Sequence, residues 1–233
     1  MAIIILVRHG ETDWVGKRLQ GRQPGIDLNE NGRRQAQQTA DALQHLPVKA
    51  IYSSPLERAA QTAQFLADKK GLQVECHPGL IEMDYGSFAG KTFKQLWRMN
   101  GWKKMVQPGN TEPFPGGDSV ATALERVVAG IEDIANRWGE KDIVACFTHA
   151  DQVRLTVAHY LHMPAGEFHR LVAHTAAASV IQVFEGQGQV IQVNQVLSQP
   201  GWVEFMEGLV KQSEAPHGFK NIRKGNREKR LSL

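Results

Sequence analysis

The sequence predicts an α/β protein, a three-layer sandwich in which a mostly parallel central sheet is covered by helices on both faces. Three observations carry that prediction. Short apolar runs recur between segments with helical spacing. The leading runs are apolar nearly throughout instead of alternating, as strands buried on both faces must be. Three of the runs also end in polar side chains able to do chemistry, and the carboxyl edge of an open parallel sheet is where such side chains gather. At 233 residues, with 42% hydrophobic and 22% charged residues, the chain is large enough to bury a substantial core.

The first run, IIILV (3–7), passes straight into Arg8-His9-Gly10. The second, VKAIYSS (48–54), leads into PLERAAQTAQFLADKKG. There Pro55 suits a first helical turn, Leu56, Ala59, Ala60, Ala63 and Leu66 form an apolar stripe, and Gly71 suits a helix stop. A third, DIVACFT (142–148), ends at His149, and the helical pattern DQVRLTVAHYLHM runs on to Pro164. ASVIQVFEGQGQVIQVNQV reads as two strands around a Gly-containing turn, a hairpin for the sheet edge. Residues 91–119, rich in Trp, Lys, Gly and Pro, read as an insertion or lid. One domain is therefore expected over 1–210, with about 83–119 as the lid and 211–233 as a basic, flexible tail.

From Lys211 onward, seven basic and two acidic residues place +5 in that tail, leaving −2 for the rest of a chain whose net charge is +3. Gly, Asn and alternating charges there describe a solvated end better than a nucleic-acid arm. Cys76 and Cys146 lie far apart without C-x-x-C spacing, which argues against a disulfide framework or a zinc ribbon. The amino terminus lacks the basic region of a signal peptide, and no apolar stretch approaches bilayer length. A cytoplasmic protein is expected; the sequence is silent on oligomeric state.

If the three strand ends share one sheet edge, two arginines and two histidines converge. Two guanidiniums grip a phosphate with forked, charge-assisted bonds, and a backbone amide at a helix start adds to the hold. A neutral imidazole against that phosphate attacks phosphorus, and flanking guanidiniums disfavour the imidazolium that would silence it. A second histidine donates to the oxygens that gain charge. The positive charge comes from the protein, so neither metal nor cofactor is expected. The leaving alkoxide needs a proton, and Glu82 in LIEMDYGSFAGKT is the candidate acid; Asp84 and Glu11 are alternatives.

LVRHGETDW, IYSSPLERAAQTA, LIEMDYGSFAGKT, GGDSVATALERV and FTHADQVR occur in the order and approximate spacing of the histidine phosphatase superfamily, which includes the cofactor-dependent phosphoglycerate mutases. The resemblance covers about residues 3–198. It implies a phosphoglycerate mutase-like fold with His9 as the phosphorylated nucleophile. It further implies that Arg8, Arg58 and His149 form the phosphate pocket, that Glu82 is the proton donor, and that Thr12, Gln20, Gly21 and Ala150 line the site. The substrate implied is a small phosphorylated metabolite. The LQGRQPGIDLNENG loop, and a last histidine followed by Ala-Asp, resemble a subgroup that carries no defined substrate.

The chain departs from the family pattern at Val15, where many members have Asn, at Thr148 and Ala150 around His149, and at Asp118 before Ser119. The acid motif resembles the phosphatase branch, so hydrolysis through phosphohistidine leads. A phosphomutase is the alternative. Val15 and Ala150 motivate a non-catalytic phospho-ligand binding module, and a metallohydrolase would use His9, His149 and Glu82 as ligands. His159 and His162, three apart in a helical pattern, have metal-like spacing without a third ligand. Lys91, Lys94, Arg98, Lys103 and Lys104 in the lid suit either a multiply charged substrate or solvation.

Overall fold

Strand β1 (Ala2–Arg8) has parallel β4 (Ile143–Thr148) on one side and antiparallel β5 (Ala178–Phe184) on the other. The structure, a computed structural model, describes residues 2–197 and 201–212. With β2 (Val48–Ser53), β3 (Val74–Cys76) and β6 (Gln187–Gln195), the six-stranded sheet runs β3-β2-β4-β1-β5-β6. Within it β5 alone opposes β1, because β6 pairs antiparallel with β5. The hairpin predicted at the sheet edge is present, and it turns through Glu185 and Gly186, both at positive φ (45° and 72°), as a tight two-residue loop requires.

Alternate residues of β1 feed two cores, which makes the sandwich three layers deep. Ile4 and Leu6 join Val127 and Ile131 of α5 (Val120–Asn136) and Val153 and Val157 of α6 (Ala150–Tyr160). Ile3, Ile5 and Val7 face the other way, onto Ala40 and Leu43 of α1 (Glu30–Leu43), Ala63 and Leu66 of α2 (Glu57–Lys70), and Met206 of α7 (Trp202–Gln212). This two-sided burial is the physical reason that β1 contains no polar residue before Arg8.

The helix limits follow local chemistry. Asn29 caps α1 by accepting from the Gly32 N–H (2.8 Å), and Ser119 caps α5 by accepting from the Thr122 N–H (3.0 Å). Gly71 closes α2 at φ 63°, as predicted, but Pro55 lies outside the helix, ahead of an extended Leu56. Helix α6 stops at Tyr160, and His162 sits beyond it at φ 54°, so His159 and His162 do not share a helix face.

The segment read as a lid holds two one-turn helices, α3 (Phe93–Leu96) and α4 (Trp102–Met105). It is also part of the core: Phe88, Leu96, Trp102 and Phe114 are buried on the α5/α6 side of the sheet, while Trp97 is 55% exposed. Lys103 and Lys104 point outward, and Lys104 pairs with Glu112 (2.6 Å). The basic tail expected over 211–233 lies, from residue 213 on, outside the described residues.

Gly10, immediately after His9, lets β1 leave the sheet beside the start of α1. A Cβ on Gly10 would stand 2.5 Å from the Gly32 carbonyl oxygen, and one on Gly32 would stand 2.0 Å from the Glu11 carbonyl oxygen. Both obstacles are backbone and do not yield. Gly10→Ala is therefore expected to cost about 1–3 kcal/mol of stability in urea unfolding. An unchanged unfolding midpoint would contradict this close approach.

Candidate active site

The strand register assembles the site. In the β1–β4 ladder Arg8 stands opposite Thr148, and the His9 N–H donates to the Thr148 carbonyl (2.9 Å). On the other side of β4, the Ser54 N–H donates to the Phe147 carbonyl (2.9 Å). His9, Ser54 and His149 thus emerge side by side, with the two imidazole centroids 5.3 Å apart. Arg58, in the first turn of α2, is carried to the same edge by the strand-to-helix turn that follows Ser54.

Hydrogen bonds fix what each group offers. His9 Nδ1 lies 2.7 Å from the Gly10 carbonyl oxygen, which only accepts, so the neutral ring carries its proton on Nδ1 and keeps a lone pair on Nε2. His149 Nε2 meets the Ser54 hydroxyl (2.7 Å), and that oxygen already accepts from the Leu56 N–H (3.3 Å). Nε2 is the one acceptor that meets the Ser54 hydroxyl among the described residues, so the hydroxyl hydrogen goes to Nε2 and His149 Nδ1 is left as the N–H donor. That Nδ1 is buried without a partner among the described residues, as are Arg8 Nε and Arg58 Nε and Nη1. Four donors without protein acceptors, within one cluster of buried groups, form an anion cradle.

The electrostatics favour neutral imidazoles. Burial, then the Arg58 and Arg8 guanidiniums, hold His9 well below the usual imidazole pKa. His149 is pushed down by burial, Arg58, His9 and Arg8. Arg58 itself is fully buried, and burial lowers its pKa to about 10. Its one protein bond within the cradle runs from Nη2 to the carbonyl of Gly21 (2.7 Å), whose φ of 52° glycine adopts without strain.

Glu82 answers as the carboxyl group. Burial, then the neighbouring Asp151, raise it to about 7. Its Oε1 accepts from the Met83 N–H (2.9 Å) and from Gln152 Nε2 (3.4 Å), so the proton of the acid resides on Oε2. The backbone around it is pinned: Arg22 Nε donates to the Glu82 carbonyl (2.8 Å), and Asp118 accepts from the Asp84 N–H (3.0 Å), from Arg22 (2.9 Å) and from Arg126 (2.7 Å). The change to Asp118 thus retains an anchoring carboxylate at that position.

A cavity of about 350 Å³ opens over these groups, bordered by Arg8, His9, Gln20, Gly21, Glu82 and Ala150 among others. Arg58 and His149 lie fully buried behind it. Thr12, expected on its wall, does not border the cavity. Thr12 is also buried, and its hydroxyl accepts from Gln20 Nε2 (2.8 Å), which fixes Gln20 with Oε1 left unpartnered. Val15 does border the cavity. Asp84 bonds the Gly86 N–H, and Glu11 is held by Asn29 and Asn31. Neither borders the cavity. Among the described residues no three His, Cys, Asp or Glu side chains form a metal-holding group.

The sequence offers Ser54 only as a polar strand end and does not single out the group Tyr85-Asp151-Arg154. The Tyr85 hydroxyl donates to Asp151, whose other oxygen accepts from Arg154 (2.9 Å), and all three border the cavity. Tyr85 is held well above the usual phenol pKa by burial and Asp151, so it remains a donor. The Ala-Asp after His149 marks Asp151 in the sequence; nothing local marks Tyr85 as its partner.

The family model for the histidine phosphatase superfamily (branch 1) matches residues 4–196. Phosphoserine phosphatase 1 of Hydrogenobacter thermophilus is 30% identical over 200 residues, covering 83% of this chain and 92% of its own length. The 2,3-bisphosphoglycerate-dependent phosphoglycerate mutase of Thermoplasma acidophilum is 33% identical over 190 residues, covering 80% and 90%. Among solved structures, phosphoserine phosphatase of Entamoeba histolytica in complex with 3-phosphoglyceric acid superposes with a TM-score of 0.74 at 29% identity, covering 84% of this chain and 100% of its own. A mycobacterial glucosyl-3-phosphoglycerate phosphatase gives 0.76 at 26%, covering 83% and 98%. Among the described residues no helix is long and apolar enough to cross a membrane.

A buried guanidinium with two unpartnered donors is retained against stability. Arg58→Met is accordingly expected to leave the thermal midpoint of the ligand-free protein at or above that of the wild type, while abolishing the rise that added inorganic phosphate produces. A midpoint lowered by the substitution, with the phosphate effect intact, would contradict the cradle.

Proposed function

This chain belongs to the histidine phosphatase superfamily, and from that we propose that it hydrolyses the phosphomonoester of a small phosphorylated metabolite through a phosphohistidine on His9. The observation that carries the assignment of roles is the Nδ1–H···O=C bond of His9, which presents an unprotonated Nε2 beside the buried cradle of donors.

The phosphoryl group is bound by Arg8, Arg58 and His149 Nδ1–H, with the start of α6 adding its dipole. The His9 Nε2 lone pair attacks phosphorus, the bond from phosphorus to the ester oxygen breaks, and the departing alkoxide takes the proton from Glu82. Charge that builds on the phosphoryl oxygens is met by donors already in place. In the second half, the Glu82 carboxylate takes a proton from water as its oxygen attacks phosphorus. The P–N bond breaks, its electron pair returns to Nε2, and Glu82 is again an acid. Gln20 and Gly21 border the bound group, Thr12 holds Gln20, and the Ala150 methyl narrows the floor. Return of the phosphoryl group to a second substrate hydroxyl would instead be mutase chemistry, the activity named for the Thermoplasma relative.

His9→Ala is expected to lower phosphate release by about a thousandfold or more and to abolish an acid-labile phosphoenzyme trapped by rapid quench. Release that persists in this variant would refute the assignment, and isomer exchange of phosphoglycerates without phosphate release would favour the mutase. The pH profile of kcat/KM is expected to fall as pH rises through about 7, because Glu82 must then be protonated in the free enzyme. Glu82→Gln should remove that limb and cost about 10²–10⁴ in rate. Asp151→Asn deletes an anion that disfavours the Glu82 carboxylate, so it lowers the carboxyl pKa and moves the limb to lower pH. A limb unmoved by either change would contradict the role of Glu82.

A further inference from the structure

The cradle explains one part of the cavity, and the rest is built from different material. Phe93, Trp102, Met105 and Val106 of the lid segment border it, together with Val120 and Phe168. This wall is fixed to the body. Trp102 is 5% exposed and packs edge-on against Phe88 at 5.4 Å. Beyond α4, the Gly109 N–H donates to the Gly166 carbonyl (3.0 Å), an approach so close that a Cβ on Gly166 would lie 2.7 Å from Gly109 Cα. Trp102 Nε1 is buried without a partner among the described residues, and a buried indole N–H ordinarily finds one.

The charges point the same way. A compact leaving group that bears a carboxylate, such as that of phosphoserine or 3-phosphoglycerate, needs a cation beyond the two that hold the phosphate. Arg154 borders the cavity with its charge met by Asp151 at Nη1 (2.9 Å), and its Nε is buried without a partner among the described residues. Arg18 and His169 also border the cavity from its exposed rim, Arg18 with Nη1 on the Gly90 carbonyl (3.1 Å) and its guanidinium 5.3 Å from the Trp14 ring centroid. Lys91, Lys94, Arg98, Lys103 and Lys104 do not border the cavity, whereas Glu82 and Asp151 do. A second carboxylate would be placed beside the Arg154–Asp151 pair, whose charges offset, and against apolar side chains, at a cost in desolvation.

We propose that the cavity selects phosphomonoesters of bulky, uncharged, largely apolar alcohols over small carboxylated ones, with Phe93, Trp102, Met105 and Val106 holding the alcohol portion. The inference rests on the phosphohydrolase reading above and names its substrate class. A volume of about 350 Å³ sits at the lower end of the ~300–1,000 Å³ typical of ligand pockets, enough for a phosphate and one ring-sized group.

The test compares kcat/KM for 3-phenylpropyl phosphate, O-phosphoserine and 3-phosphoglycerate with the wild-type protein. All three are primary alkyl esters, and the electron-withdrawing groups of the carboxylated pair make them the better leaving groups, so chemistry alone works against the expected order. The phenylpropyl ester is expected to be favoured tenfold or more. Val106→Glu, at a lid position that is 39% exposed and borders the cavity, is expected to reduce that preference at least tenfold. A wild-type preference for either carboxylated ester, with turnover still dependent on His9, would overturn the inference and leave the hydrolase standing; so would a preference that Val106→Glu does not change. Failure of all three esters to release phosphate in a His9-dependent way would overturn both readings.

Discussion

Buried positive charge beside two imidazoles is the constraint on which the rest of the site depends. Arg58 is out of water, Arg8 nearly so, and both raise the cost of protonating His9 and His149. In the proposed chemistry the nucleophile His9 is therefore held neutral by the same charges that would bind its target, and the Gly10 carbonyl decides which nitrogen keeps the lone pair. Glu82 needs the opposite treatment, and it receives it from burial and the nearby Asp151. One small volume thus holds an imidazole pushed below its usual pKa and a carboxyl raised above its own, which is the division of labour that phosphoryl transfer with leaving-group protonation requires.

The fold supplies this arrangement through register more than through loops. Arg8 ends β1, and His9, His149 and Ser54 follow β1, β4 and β2, each one step beyond the last paired residue. Glycine backbones at Gly10 and Gly32 permit the crowded exit. The second strategy is anchoring from afar: Asp118, Arg22 and Arg126 hold the backbone that carries Glu82, so the proposed acid is placed by a network outside the cavity lining.

Much of this was legible in the sequence because a parallel sheet makes its active edge predictable: an apolar run that ends in Arg-His can only deliver both there. The hairpin, the Gly71 stop and the convergence of the three strand ends follow from period and turn chemistry alone. What escaped reading was whatever depends on contacts between distant segments. Tyr85 and Asp151 are 66 residues apart, so their bond leaves no local trace. Thr12 has the right chemistry, but its hydroxyl accepts from Gln20 Nε2, and Gln20, not Thr12, borders the cavity. Trp102 was read as part of a lid, yet its ring is both core and cavity wall, a double role that only tertiary packing reveals. His162 fell out of its helical pattern because α6 ends at Tyr160.

The most direct test of the central claim is long-range ¹H–¹⁵N NMR of the histidine rings in the ligand-free protein at pH 6, where an ordinary imidazole is largely protonated. The account predicts that His9 is neutral, protonated on Nδ1 and bare on Nε2. A His9 imidazolium at that pH, or a neutral ring with its proton on Nε2, would contradict it.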